Sequence, residues 1–219
     1  MSQTKDRILA LRDALTDETR GVYLSMLPEY QQSYADYVYS ADQEITIYKR
    51  IKNLEKSFGK LLTEVYYYLT PMTQATAEEI ANTWKYQPPY DFYDMTADPE
   101  DYAELISSQA RGHHYFQVIR NGALVGFASF FENGAELTVG LGMKPDYVGQ
   151  GWGRPFFQAI EDFAREKYSF QKLGLEVAAF NQRAQKLYHN MGFEAQAHFQ
   201  HKSNGGIYDF VRMEKSFQK

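Results

Sequence analysis

The stretch "PDYVGQGWGRPFF", Pro145 to Phe157, decides how this chain is read. It sets Gly149, Gly151 and Gly153 at alternate positions, followed by Arg154 and Pro155, just ahead of an apolar run with helical spacing. A strand, a glycine-rich turn and a helix start make an anion site. The first N–H groups of a helix lack partners within it, and the helix dipole favours negative charge there. Glycine lets the backbone approach a phosphate closely and adopt conformations that other residues avoid. Arg154 adds a charge-assisted contact. Pro155 gives up an N–H that an early helical position leaves unbonded anyway. Taken alone, three alternating glycines fit an ordinary tight turn. No Gly-Lys-Ser/Thr run follows, so this is not a P-loop, and the dinucleotide fingerprint does not match either.

The 219 residues around this loop carry a net charge of -5, with a hydrophobic share of 44% and a charged share of 23%. These are values of an ordinary globular chain, and the acidic balance argues against nucleic acid as a partner. With no cysteine, disulfides, thiolate nucleophiles and Cys-based zinc sites are excluded. His113, His114, His198 and His201 lack metal-binding spacing and read as strand-edge residues, so no metal is expected. The opening "MSQTKDRILALRDAL" is charged throughout, without the apolar centre of a signal peptide. No window is long enough to span a membrane. The expectation is a cytoplasmic protein with no membrane partner.

Residues 1–64 read as helical. Ile8, Leu11, Leu15 and Val22 share one face before Pro28 interrupts, and Tyr30, Tyr34 and Tyr37 continue the spacing on a second helix. Ser40 with Gln43 reads as a capping box for a third. There Ile47, Ile51, Leu54, Phe58, Leu61 and Val65 form an apolar stripe, about 30 Å long at 1.5 Å per residue. Such a stripe must be buried, either inside a helical bundle or in an arm that forms a homodimer or docks a partner.

From residue 65 to 219 strands and helices alternate. "YYYLTPM" reads as a strand, Thr76 with Glu79 as the cap of a helix reaching Trp84, and "KYQPPYDFYDM" as an aromatic loop before the short helix of "DPEDYAELISS". "YFQVIRNGALVGFASFF" is a hairpin turned by Asn121-Gly122, and "AELTVGLGM" adds a third strand. After the glycine loop come a helix to about Lys167, the strand "KLGLEVAAF", and the helix "NQRAQKLYHNM" stopped by Gly192. "FEAQAHFQH" and "IYDFVRMEK" close as a hairpin around "KSNGG".

This order of elements resembles the GNAT acetyltransferase superfamily over about residues 66–214. The family's loop motif, Q/R-x-x-G-x-G/A, is similar to Val148-Gly149-Gln150-Gly151-Trp152-Gly153, and "LEVAAFNQRAQKLYHNMGF" is similar to its second block. Within the family, "LTPMTQATAEEIANTWKY" is most similar to the branch that includes ribosomal-protein N-terminal acetyltransferases. The resemblance implies an α/β GNAT fold, a mixed and mostly antiparallel sheet flanked by helices. It would occupy residues 65–219, behind an N-terminal helical extension of residues 1–64. It also implies acetyl-CoA as co-substrate. Gly149, Gln150, Gly151, Trp152, Gly153 and Arg154 would grip the pyrophosphate, while Leu141, Gly142 and Met143 pair with the pantetheine arm. Asn181 would hydrogen-bond the coenzyme, cap the helix that begins there, or do both. Two positions depart from the family pattern. Val148 stands where Gln or Arg is usual, which removes one polar contact, and Pro155 is unusual just inside the helix.

The resemblance further implies direct acetyl transfer to a primary amine, on a small molecule or a peptide, with no covalent enzyme intermediate. Tyr188 matches the family's general-acid position. A phenol with pKa near 10 gives its proton to a thiolate of pKa near 8.5 only where the site assists; the alternative is that Tyr188 packs with Ala184, Leu187 and Met191. Glu176 matches a position that serves as base in some N-terminal acetyltransferases. It alternates with Leu175 and Val177 and so faces the other side of the sheet; the alternative is an exposed carboxylate, or one paired to Lys or Arg. Glu136 competes for the same role. Trp84, Tyr90, Phe92 and Tyr93 wall an acceptor pocket or pack as core. Two other functions fit the residues: a coenzyme-A-binding regulatory module with little catalysis, and a scaffold whose helical arm docks a partner.

Overall fold

A computed structural model describes residues 2–217. They divide into two compact units, Met1–Tyr67 with Ile119–Leu124, and Tyr68–Val118 with Val125–Lys219. Among the described residues no helix is long and apolar enough to cross a membrane.

The first unit holds four helices, α1 (Ser2–Ala14), α2 (Asp17–Ser25), α3 (Pro28–Tyr39) and α4 (Glu44–Lys60). The face expected to run unbroken from Ile8 to Val22 is interrupted at Thr16, which is extended, and Asp17 and Glu18 open α2 at its positive end. Arg20 closes the joint. Its Nε donates to the Arg12 carbonyl at 3.0 Å and its Nη2 to that of Leu15 at 2.9 Å, which satisfies acceptors that the end of α1 leaves open. The expected capping box is absent: Ser40 ends α3 with its hydroxyl on the Tyr37 carbonyl, and Gln43 precedes α4 without a side-chain cap bond. Helix α4 stops at Lys60, so Val65 falls beyond it and is exposed. The rest of the stripe lies in the unit's own core. Leu54 and Phe58 are buried with Leu11, Leu15 and Tyr23, and Ile47, Ile51 and Leu61 pack against them. The turn residue Asn121 belongs to this unit for a reason the turn alone does not give. Its side-chain amide donates to the carbonyls of Leu61 (3.0 Å) and Glu64 (2.8 Å).

The second unit is built on a seven-stranded sheet: β1 (Tyr67–Pro71), β2 (Tyr115–Arg120), β3 (Ala123–Asn133), β4 (Glu136–Met143), β5 (Lys172–Ala178), β6 (Glu194–Ser203) and β7 (Gly206–Ser216). Their order is β1-β2-β3-β4-β5-β7-β6. The pairs β3–β4, β5–β7 and β6–β7 are antiparallel, and β4–β5 is parallel. The helices are α5 (Gln74–Thr83), α6 (Pro99–Ile106), α7 (Ser108–Arg111), α8 (Gly153–Lys167) and α9 (Gln182–Asn190). This is the mixed sheet flanked by helices that the element order implies. Neighbouring residues of β3 show the two layers, since successive strand residues face opposite sides. Phe127 meets Trp84, just past α5, on one face; on the other, Phe156 of α8 fills the space that a side chain at Gly126 would need.

Two local readings are corrected. Helix α5 is capped by Thr73, whose hydroxyl accepts from the Thr76 N–H at 3.1 Å, so the cap sits one turn earlier than Thr76 with Glu79. Glu79 instead pairs with Lys144 at 2.7 Å. The segment "KYQPPYDFYDM" is not an open loop but carries two short 3-10 turns, Tyr90–Tyr93 and Met95–Ala97.

In the helical unit the Phe58 ring is 1% exposed, stacks on Tyr23 at 6.2 Å and meets Tyr34 edge-on at 5.1 Å. Phe58→Ala should therefore destabilise that unit by about 3–5 kcal/mol. Urea unfolding followed by far-ultraviolet circular dichroism checks this, and a loss below about 1 kcal/mol would mean the site collapses around the missing ring.

Candidate active site

The site begins where two strands part. Strands β4 and β5 register only at Glu136↔Lys172, Leu137↔Leu173 and Thr138↔Gly174. Beyond those positions Val139 to Met143 and Leu175 to Ala178 diverge, while β4 stays paired with β3 to Gly126↔Met143 without a register shift. The Lys144 N–H donates to the Val125 carbonyl at 2.9 Å. Because hydrogen-bonded and non-bonded pairs alternate along an antiparallel ladder, Gly142 and Gly140 also turn their backbone groups toward β3. Leu141 and Met143 turn theirs to the gap. The Met143 carbonyl is already taken by the Tyr86 hydroxyl at 2.9 Å.

The glycine loop follows the end of β4. Gly149 (φ +84°) and Gly151 (φ +80°) both lie in the left-handed region, and a Cβ on either would meet nothing within 4 Å. These two glycines serve conformation, and the space above them is open. Gly153 serves contact instead, since a Cβ there would stand 3.1 Å from Leu187 Cδ2 of α9. Among the described residues, the N–H groups of Gly149, Gln150, Gly151, Gly153 and Arg154 donate to no acceptor, and α8 has no side-chain cap. The Gln150 side chain turns back to the Asp146 carbonyl at 2.6 Å, and Tyr147 stacks on Trp152 at 4.8 Å. Arg154 is exposed, with no ion pair among the described residues. Unbonded amides beside a cation at a helix start suit an anion.

Asn181 follows the end of β5 and is buried. Its Oδ1 accepts from the Ala184 N–H at 3.1 Å, which caps α9, and its Nδ2 donates to the Tyr93 hydroxyl at 3.2 Å. Tyr188, on α9, is 8% exposed and lies against Phe157 at 5.3 Å. Burial, with a smaller contribution from Tyr93, pushes its phenol well above the ordinary range. No described residue hydrogen-bonds that hydroxyl, and it is not among the sealed polar atoms. The result is a neutral phenol with a spare proton, packed against Phe157 and Phe193. Packing and proton donation are compatible here.

Glu176 and Glu136 meet at one residue that the sequence reading passed over. Arg212, opposite Glu176 in the β5–β7 register, ion-pairs closely with Glu136 through Nη2. It also reaches Glu176 through Nη1 at 3.5 Å and Glu214 through Nε at 3.6 Å. Both candidate bases are thus paired to an arginine. They differ in position: Glu136 lies at the paired end of β4, whereas Glu176 lies past the last paired position, inside the gap. The Glu176 side chain is 44% exposed against 24% for Glu136. Gly174 is the sequence signal for Arg212, since an isolated glycine within a strand marks close approach by another group; a Cβ there would collide with the guanidinium.

The aromatic segment packs on itself. Phe92 lies 5.2 Å from Tyr93, 5.4 Å from Phe180 and 4.8 Å from Tyr208, while Trp84 is buried against Phe127. Asn204 of the last hairpin donates to the Phe92 carbonyl at 2.8 Å, and its own N–H reaches Asp98 at 3.0 Å. Among the described residues no group of acidic or histidine side chains could hold a metal ion.

Comparison with known proteins identifies the frame. The Acetyltransferase (GNAT) family matches residues 76–193, more than half of the chain. A curated Bacillus subtilis protein, provisionally named a [ribosomal protein bS18]-alanine N-acetyltransferase, is 31% identical over 95 residues. That match takes in 42% of this chain and 60% of the relative's length. Among solved structures, a chimeric spermidine N-acetyltransferase from Vibrio cholerae matches with a TM-score of 0.56 at 20% identity, over 68% of this chain and 95% of its own. An aminoglycoside acetyltransferase solved with coenzyme A matches with a TM-score of 0.55 at 15% identity, over 69% and 95%. At these identities the two structures show the fold.

The double role of Asn181 gives a test. Asn181→Ala removes the cap of α9 and should lower stability by about 1 kcal/mol. Asn181→Asp keeps the capping oxygen but loses the donor to Tyr93, so its melting temperature should lie between those of Asn181→Ala and the parent protein. If the Asp variant melts no higher than the Ala variant, the cap is not what stabilises this joint.

Proposed function

We propose, from the premise that the chain belongs to the acetyltransferase (GNAT) family, that it moves an acetyl group from acetyl-CoA directly to a primary amine. Residues 65–219 carry the chemistry. The observation that carries this reading is the set of unbonded amides at Gly149, Gly151, Gly153 and Arg154, standing at the end of a strand whose edge has opened. Those donors and the Arg154 guanidinium suit a pyrophosphate. Leu141 and the Met143 N–H suit an extended arm bearing amides, because they are the groups of β4 that point into the gap. Asn181 has one more amide hydrogen to offer than its two partners in this structure use.

When bound, the coenzyme supplies an acetyl group activated as a thioester. Glu176 takes one proton from the incoming ammonium, directly or through a water, and leaves a neutral nitrogen able to attack the carbonyl carbon. As the C–N bond forms and the C–S bond breaks, Tyr188 hands its proton to the departing sulfur. The second proton shed by the new amide restores the phenol. Burial keeps Tyr188 protonated across the working pH range, so its contribution is confined to the step in which the thiolate forms. Glu176 is preferred to Glu136 because it stands within the gap and is the more exposed of the two. The relatives' names span a protein N-terminal alanine, spermidine and an aminoglycoside. The acceptor class proposed is accordingly the primary amine they share.

Three measurements test the reading, with a peptide beginning in alanine, spermidine and an aminoglycoside as acceptors. Gly151→Asp places a negative charge among the free amides and should raise the dissociation constant of coenzyme A at least about tenfold in calorimetry; unchanged affinity would put the coenzyme elsewhere. Tyr188→Phe should lower kcat about 10²-fold with little change in KM for acetyl-CoA. Equal turnover would return Tyr188 to packing alone. Glu176→Gln should cost more kcat than Glu136→Gln, and the opposite order would make Glu136 the base.

A further inference from the structure

We infer that Arg212 is a positioning residue for acetyl transfer: anchored on Glu136, it holds the Glu176 carboxylate at the mouth of the β4–β5 gap. The inference rests on Glu176 being the base. A guanidinium is a rigid plane with five N–H donors, so its closest contact fixes the direction in which the remaining donors point. Here that contact is Nη2 with Glu136, supported by the Thr138 hydroxyl at 3.3 Å from the same nitrogen. Nη1 then lies 3.5 Å from Glu176 and Nε 3.6 Å from Glu214, both at ion-pair distance. Glu214 is drawn off in turn by Lys172 at 3.2 Å. Of the three carboxylates around Arg212, Glu176 therefore has the loosest hold, one ion-pair contact on a side chain that is 44% exposed.

The arrangement is built into the strands. Arg212 lies directly across from Glu176, and it reaches back to Glu136 over Gly174, the one β5 position where any side chain would block it. The arginine is 15% exposed, so the fork is largely shielded from water and its directions are set by its protein partners. A lysine at 212 would supply charge but no plane. A clamp that merely tied β4, β5 and β7 together would need the pair with Glu136 alone. The ion-pair contact with Glu176, the residue directly across the ladder, is what assigns Arg212 a part in the reaction.

The test is a double-mutant cycle on the full-length chain, with acetyl-CoA and the acceptor it turns over best among the alanine peptide, spermidine and the aminoglycoside. Arg212→Gln should lower kcat about tenfold or more, as a displaced catalytic group does, with KM for acetyl-CoA within about twofold. Introduced into Glu176→Gln, it should cause no further loss, because the group it positions is gone. Arg212→Lys should fall between, and it carries the same comparison if Arg212→Gln melts below the assay temperature. An unchanged kcat in both Arg212 variants overturns the inference. So does an equal loss in both backgrounds, which would make Arg212 a clamp acting independently of Glu176. Failure of the base assignment reads differently: Glu176→Gln alone would then keep full turnover. No turnover with any of the three amines would overturn both readings together.

Discussion

Strands β4 and β5 pair for three positions and then separate, and the rest of the site depends on that parting. Each strand leaves the sheet into its own helix, β4 through the glycine loop into α8 and β5 through Asn181 into α9. A parallel pair set among antiparallel neighbours needs such a crossover. Because the crossover helix starts at the open end, its free N–H groups face the same crevice as the exposed edge of β4. An opening outside the carboxyl ends of strands is where α/β sheets commonly hold ligands. The donors for an anion, the edge for an extended arm, the phenol and the carboxylate all follow from one place where backbone pairing stops.

The two proton-carrying groups are kept apart by environment. Tyr188 packs against Phe157 and Phe193, and burial holds its phenol protonated. Glu176 stands on the opposite side of its strand from Leu175 and Val177, half in solvent, where an amine can arrive and give up a proton. In the proposed mechanism burial is what separates the acid from the base. Tyr93 links the two regions, because its hydroxyl is held by Asn181 while its ring belongs to the aromatic packing around Phe92.

What could be read from the sequence was what neighbouring residues decide. Asn121-Gly122, Gly192 and the glycines at 149 and 151 announce backbone conformations that other residues resist, and each stands where it was expected. The cap of α5 was misplaced by one turn because Thr73 and Thr76 are both hydroxyl residues three apart, and only tertiary packing selects between them. Thr76 is the one drawn away, its hydroxyl bonding Gln117 at 2.6 Å. The break at Thr16 carries no proline or glycine, and what stabilises it, Arg20 on the carbonyls of α1, is a long-range reach by a flexible side chain. Arg212 was passed over for the same reason, since Gly174 marks a close approach without saying which residue makes it. Arg212 lies far along the chain from Glu136, and only strand order makes them neighbours. Local chemistry was legible; side-chain convergence across the sheet was not.

The contact between Gly153 and Leu187 has one more consequence. Gly153 opens the helix whose free amides are proposed to hold the pyrophosphate, and Leu187 is the residue next to Tyr188. The two ends of the proposed coenzyme track therefore lie on helices that approach closely, Leu187 near the space a side chain at Gly153 would need and Phe157 against Tyr188. Under the proposed function these helices form a gauge of fixed length, with an anion stop at one end and a phenol at the other. A carrier arm must match that length to bring its sulfur to the proton. Selection among thioesters would then act on the span from phosphate to sulfur, before the acyl group or the acceptor amine has any say.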